Sequence, residues 1–247
     1  MPKFSVVVGT YNQEKTLPML IEALNNQTFR DFEVHFCDDG SDYDVRKEIF
    51  AIERDGIAQH PAFQKVEQVN VNISFPYEVH VQKHKGMRLA KNINQGIKAA
   101  RGEYCVFIMG DSFPDPRYLE VLHQFAQPGR VLCGVRYDVD GGKGVDVDWR
   151  LKKAIIPPEN AILVANPWSL TTGNGLTVPT AAFRAHGGWD ESFEGYGGED
   201  GELVARLYYK GYTVWSIVDA KLYHHWHKAT ASANTSNVVR KLFAYAN

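Results

Sequence analysis

Short apolar runs that end on carboxylates or hydroxyls, alternating with helical segments, constrain this chain more than any other feature. Phe4 to Val8 is Val-rich and leads into Gly9 and Thr10, as suits a buried parallel strand opening into a functional loop. From Glu14 to Gln27, Leu17, Leu20, Ile21 and Leu24 recur at helical spacing, with Thr16 and Pro18 at the start. Phe32 to Cys37 reads as a second strand, and Asp38 and Asp39 fall at its carboxyl end. The alternation continues through a helix from Asp44 to Ile57, a strand from Tyr77 to Val81, a helix from Arg88 to Ala100 and a central strand from Tyr104 to Met109. Ala58 to Phe75 has no clean period and reads as an irregular insertion. The class is therefore α/β with a mostly parallel sheet flanked by helices, and ligands bind at the carboxyl ends of such strands.

Beyond the central strand the pattern predicts a helix over Tyr118 to Phe125 and a strand over Val131 to Tyr137. Further strands are expected over Asn174 to Val178 and Val214 to Leu222, around a helix from Glu199 to Lys210. Between them, Gly141 to Trp168 is punctuated by Gly and Pro in the manner of a mobile loop. The 247 residues, 44% hydrophobic and 23% charged, supply core enough for one domain. With 27 basic and 29 acidic residues and no long run of either sign, the chain lacks the footprint of a nucleic-acid binder. Cys37, Cys105 and Cys133 lie in apolar runs and are odd in number, so reduced core thiols are expected rather than a disulfide framework. Met1 leads directly into a strand pattern and no run of about 18 apolar residues occurs, which predicts a cytoplasmic protein and leaves contact with a membrane surface open.

Four constellations carry chemistry. Thr10-Tyr11-Asn12 and Asp38-Asp39-Gly40-Ser41 share neighbouring strand ends, where a carboxylate can accept from a uracil N–H or a ribose hydroxyl and Tyr11 can stack on a base. Asp-Asp-Gly-Ser reads equally as a turn. Met109-Gly110-Asp111-Ser112 puts one carboxylate at the end of the most apolar strand, suited to a hard divalent cation or simply opening a turn before Pro114. Tyr223-His224-His225-Trp226-His227-Lys228 offers imidazoles three apart that converge on one ion if the segment turns, and form a surface patch if it does not. Gly187-Gly188-Trp189-Asp190-Glu191 and Gly195-Tyr196-Gly197-Gly198-Glu199-Asp200 precede a helix, where a carboxylate serves as general base to an alcohol or merely caps the helix.

In this order the clusters resemble the inverting family 2 glycosyltransferases, whose fold is the GT-A nucleotide-sugar-binding α/β sandwich. Ser5-Val6-Val7-Val8 before Thr10-Tyr11-Asn12, Gln27-Thr28-Phe29, Phe32-Glu33-Val34 and Asp38-Asp39-Gly40-Ser41 carry the likeness. Arg88, Asn92, Asn94, Gly96 and Arg101-Gly102-Glu103-Tyr104 continue it. The Gly-Gly-Glu-Asp helix start and the later histidines are similar to galactosyl- and N-acetylgalactosaminyl-transferases of the same fold. The resemblance implies one GT-A domain over 1–247, with a nucleotide-binding half at 1–112 and an acceptor-binding and catalytic half at 113–247. It implies a UDP-sugar donor contacted by Thr10, Tyr11, Asn12, Asp38, Asp39, Arg88 and Asp111, and a glycan acceptor. Asp200 is the implied base and Glu199 the residue that holds the hydroxyl or donor sugar. Trp189 is expected to stack on sugar, with Asp190, Tyr196 and Gly198 beside it.

A divalent metal, Mn²⁺ before Mg²⁺, is implied at Asp111 with His224 and His227. The family pattern at that strand is Asp-X-Asp, whereas this chain has Met109-Gly110-Asp111. The favoured activity is transfer of a galactose or N-acetylgalactosamine type sugar in building a bacterial or viral surface glycan. The rival readings are a transferase using another nucleotide, a metal-dependent hydrolase, and a non-catalytic nucleotide- or glycan-binding member of the fold. The acceptor and the oligomeric state are not legible.

Overall fold

Val6, Val7 and Val8 have no exposed surface because the strand that carries them, β1 (Phe4–Thr10), is paired on both edges and covered on both faces. A computed structural model describes residues 1–55, 72–139, 145–147, 161–163, 172–195 and 197–225. β1 pairs in parallel with β2 (Phe32–Asp38) and β4 (Tyr104–Met109), and β2 pairs in parallel with β3 (Tyr77–Val81). Near-continuous apolar runs are what such doubly covered strands require. The helices between them are α1 (Leu17–Asn25), α2 (Val45–Asp55) and α3 (Leu89–Ala99).

The second half completes the sheet with β5 (Ser112–Pro114), β6 (Arg130–Val139), β7 (Val145–Val147), β8 (Ala161–Leu163), β9 (Leu176–Pro179) and β10 (Thr213–His225). Helices α4 (Tyr118–Phe125), α5 (Thr180–His186) and α6 (Glu199–Tyr209) accompany them. The strand order is β3-β2-β1-β4-β9-β6-β10-β5, with β7 beside β6 and β8 beside β10. β9 runs antiparallel to both β4 and β6 and so joins the two halves.

Alternation along β1 divides the core. Val6 and Val8 pack with Leu17, Leu20, Ile49 and Tyr118 from α1, α2 and α4, whereas Val7 packs with Ile93, Phe183 and Val204 from α3, α5 and α6. Cys37, Cys105 and Cys133 are buried free thiols, and desolvation pushes Cys37 and Cys105 up to about 12, as expected of inert core residues. Among the described residues no helix is long and apolar enough to cross a membrane.

Two departures from the sequence expectation reshape the site. The strand expected from Asn174 begins instead at Leu176, because Asn174 spends its side chain on neighbouring segments and Gly175 turns at φ 93. The last strand extends through His225, so His224 lies within β10 and its placement follows strand register rather than a turn. Helix α5 was not foreseen; its seven residues are too few to show a repeat. The expected loop from Gly141 to Trp168 lies largely outside the described residues, as do Tyr196 and His227.

Candidate active site

At the carboxyl ends of β1 and β2 the two expected clusters meet. Thr10 Oγ1 donates to Asp38 Oδ1 at 3.0 Å, and Ser41 Oγ donates to the same oxygen at 2.5 Å. The backbone N–H groups of Gly40 and Ser41 donate to Asp38 Oδ2 at 3.0 and 2.9 Å. Asp38 is therefore occupied in building the turn, whereas the Asp39 carboxylate turns toward Gln82 and the Arg88 backbone N–H. Gly40 is required in this turn: it sits at φ +75, and a Cβ there would meet the His84 nitrogen at 2.5 Å.

Around Asp39 the chain after β3 supplies a wall. Gln82 Nε2 donates to Asp39 Oδ1 at 2.5 Å, and His84 Nδ1 lies 3.0 Å from the Asp39 carbonyl oxygen. Tyr11, 41% exposed, stacks on the His84 ring with centroids 4.4 Å apart. Asn12 adopts φ 51 and exchanges hydrogen bonds with Asp42, which fixes the rim. Arg88 precedes α3 and donates to the Lys83 carbonyl at 2.5 Å, while its Nε is buried without a hydrogen-bond partner among the described residues. An orphaned guanidinium N–H suits an anionic ligand.

Across the sheet, register assembles the second cluster. In the parallel pair β6 and β10 an irregularity between Ile217 and Lys221 resets the partners so that His224 lies opposite Asp138, and the antiparallel pair β10 and β5 puts His224 opposite Ser112. His224 Nδ1 is 2.8 Å from Asp138 Oδ1, and His224 Nε2 faces Asp111 Oδ2 at 3.6 Å. Burial disfavours charge on this imidazole, but the Asp111 carboxylate, with help from Asp138, outweighs burial and holds it above its ordinary value. The donor set fits a divalent cation: a carboxylate and an imidazole face each other, and a carboxylate on the far ring nitrogen orients the ring as outer-shell partners do. Asp138 carries no sequence signal of its own, because only the register of two distant strands brings it to His224.

The third cluster joins the second through Asn174. Its Nδ2 donates to Ser112 Oγ at 2.7 Å and its Oδ1 accepts from the Met109 N–H at 3.1 Å. Adjacent Gly173 donates its N–H to Asp200 Oδ2 at 2.9 Å, and Gly201 donates to Asp200 Oδ1 at 2.7 Å. Segment 172–175 thus touches Asp200 directly and Asp111 through the Ser112 hydroxyl, which donates to Asp111 Oδ1 at 3.2 Å. Gly198, at φ 105, caps α6 and sets Glu199 and Asp200 in its first turn. The loop before it is tied to the Arg88 region by the Gly195 N–H, which donates to the Met87 carbonyl at 3.1 Å.

Residues 5–170 match the profile of glycosyl transferase family 2. The chain belongs to that family. Residues 164–228 match the N-terminal domain of galactosyltransferase, a span that contains Glu199, Asp200 and His224. Among curated proteins it is 25% identical to validoxylamine A glucosyltransferase of Streptomyces hygroscopicus subsp. limoneus, over 97% of this chain and 55% of that protein. It is 28% identical to chondroitin synthase of Escherichia coli, over 89% of this chain and 34% of that protein. The chain therefore spans between about a third and just over half of the length of these relatives. S. aureus TarS 1-349, solved in complex with UDP-GlcNAc, superposes with a TM-score of 0.71 at 20% identity, over 99% of this chain and 65% of that one, and the shared fold is GT-A.

Within this family 2 chain, Trp189 requires a correction. It is 2% exposed and packs edge-on against Phe107, so its ring is a wall of the site rather than an open stacking platform. A Cβ on Gly173 would lie 2.9 Å from that ring and 3.2 Å from Asp200, which shows how closely the three approach. Asp190 accepts from the Ser192 N–H at 2.9 Å and shapes the turn that follows.

Glu199 is buried, and its Oε2 has no hydrogen-bond partner among the described residues. Desolvation first, and then the neighbouring Asp200 charge, raise its carboxyl from 4.5 to about 7. Because the folded value is raised, its contribution to stability is complete below about pH 4.5 and is lost as pH climbs through about 7. That rise corresponds to about 3 kcal/mol. Glu199→Gln is therefore expected to flatten the fall in melting temperature between pH 5 and pH 8. Parallel melting curves for the two proteins over that range would contradict the shift.

Proposed function

We propose that this chain is an inverting glycosyltransferase that moves a sugar from a UDP-sugar to a hydroxyl of a glycan acceptor, with Asp200 as the base. The observation that supports this reading is that one segment, 172–175, hydrogen-bonds both Asp200 and, through Ser112, the Asp111 strand end. Asp200 accepts one backbone N–H on each oxygen, and each oxygen retains a lone pair for an incoming hydroxyl. The acceptor O–H gives its proton to Asp200 as its oxygen bonds to the anomeric carbon. The bond from that carbon to the UDP oxygen breaks on the opposite face, inverting the centre.

Glu199, with an unpartnered buried oxygen and a carboxyl at about 7, is suited to hold a sugar hydroxyl as donor or acceptor. Asp39, Tyr11 and Arg88 supply the nucleotide side: a carboxylate for the base or ribose, a ring for stacking and an orphaned N–H for phosphate oxygen. Asp111 and His224, oriented by Asp138, would hold a divalent cation, Mn²⁺ or Mg²⁺, which neutralises charge on the departing diphosphate. UDP is supported by the TarS complexes with UDP and UDP-GlcNAc, and a galactose or N-acetylgalactosamine type donor by the match to galactosyltransferase over 164–228.

Calorimetric titration of UDP, GDP and dTDP, each with Mn²⁺ and with chelator, tests the nucleotide half. Selective Mn²⁺-dependent UDP binding is expected. Absence of binding by all three would favour a non-catalytic member of the fold.

A further inference from the structure

A second set of metal-ligating side chains lies away from this site, at the edge of the sheet. The register of β2 and β3 sets His35 opposite Glu78 and Cys37 opposite His80. The candidate ligand atoms of His35, Glu78 and His80 all lie within 4.8 Å of one another. His35 Nδ1 is 3.2 Å from His80 Nε2, and the two rings stack with centroids 5.4 Å apart. Two nitrogens bound to one tetrahedral ion at zinc–nitrogen distances of about 2.0–2.1 Å sit about 3.3 Å apart. The imidazoles already hold that separation. Glu78 Oε2 is 4.0 Å from His80 Nε2, on a half-exposed side chain whose Oε1 accepts from Arg101 at 3.3 Å.

An outer shell is also built. His35 Nε2 lies 3.2 Å from Glu33 Oε1, and Glu33 is fixed by the Ser5 hydroxyl at 2.8 Å, the Arg101 backbone N–H at 2.8 Å and Arg101 Nε at 2.9 Å. The Glu33 carboxylate accepts a hydrogen bond from His35 Nε2–H, and the Nδ1 lone pair then faces His80 and Glu78. A metal-bound histidine uses its two nitrogens in this way, one on the ion and one on a carboxylate.

We propose that His35, His80 and Glu78 form a second metal site for a zinc-class divalent ion, with a fourth position open to solvent. Two imidazoles and one carboxylate favour zinc, cobalt or nickel over magnesium or calcium. The site is distinct from Asp111 and His224: β1 separates β2 from β4, and His224 lies further along the sheet on β10. An ion here ties edge strand β3 to β2. The chain leaving β3 carries Gln82 and His84 to Asp39, so occupancy also steadies the nucleotide wall.

The test is titration of Co²⁺, a spectroscopic stand-in for zinc, into the whole chain after chelator treatment, using the Asp111→Ala background to remove the other site. One equivalent is expected to give the visible absorption of four-coordinate cobalt, displaced by Zn²⁺. Adding His80→Asn should abolish the band, and Glu78→Gln, at a half-exposed carboxylate whose amide replacement can still accept from Arg101, should weaken cobalt binding at least tenfold. In Asp111→Ala, Zn²⁺ should also raise the melting temperature, and this effect should vanish with His80→Asn. If Asp111→Ala gives no band, or if Glu78→Gln and His80→Asn bind cobalt as tightly as that background, the proposal fails and the stacked imidazoles are only a hydrogen-bonded sheet edge.

Discussion

Asn in place of Asp200 is expected to lower turnover by about 10²–10⁴-fold, the usual contribution of a positioned general base. The amide keeps the shape of the carboxylate but cannot accept a proton from the acceptor hydroxyl. It also presents an NH₂ group to one of the two backbone N–H donors, at Gly173 or Gly201, so a loss of about 1 kcal/mol of stability should accompany the kinetic effect. UDP affinity should stay close to that of the parent, because Asp39, Arg88 and Asp111 are untouched. Turnover and UDP calorimetry on the same preparation check both halves of this expectation. The outcome that would move the assignment is normal turnover in Asp200→Asn together with its loss in Glu199→Gln. Glu199, at about 7, would then be the base, since a carboxyl titrating near neutrality is well matched to that task.

The parts of this molecule that were legible in sequence are those whose information is local. Apolar runs that lead into Thr10, Asp38 and Asp111 mark buried parallel strands and the edge where ligands bind, and the helical spacing of Leu17, Leu20, Ile21 and Leu24 marks the crossover between the first two. The joining of Asp111 to Asp200 was not legible. It depends on Asn174, the first residue of a segment that reads as strand, whose side chain turns to Ser112 while Gly173 turns to Asp200. Trp189 misled for a related reason. An aromatic between Gly188 and Asp190 has the composition of a sugar platform, yet Phe107 and Gly173 enclose it. Asp138 and the pairing of His35 with His80 are likewise products of register, invisible until strands far apart in sequence are aligned.

Register also makes the active-site metal the part of the proposal most open to test. Removing the Asp111 carboxylate is expected to erase the metal dependence of nucleotide binding, so that UDP titrations of Asp111→Ala with Mn²⁺ and with chelator superimpose. Asp138→Asn separates a ligand set from a simple ion pair. Asp138 is placed to orient His224 through Nδ1 at 2.8 Å and not to touch the ion, so its loss should weaken Mn²⁺ by about 10–100-fold while a saturating Mn²⁺ concentration restores UDP binding. An ion pair between His224 and its two carboxylates would respond differently: Asp138→Asn would change stability and leave Mn²⁺ affinity where it was. The second result would remove His224 from the metal site. The first would make the alignment of β6 with β10 the step that turns a single carboxylate at the end of β4 into a cation site.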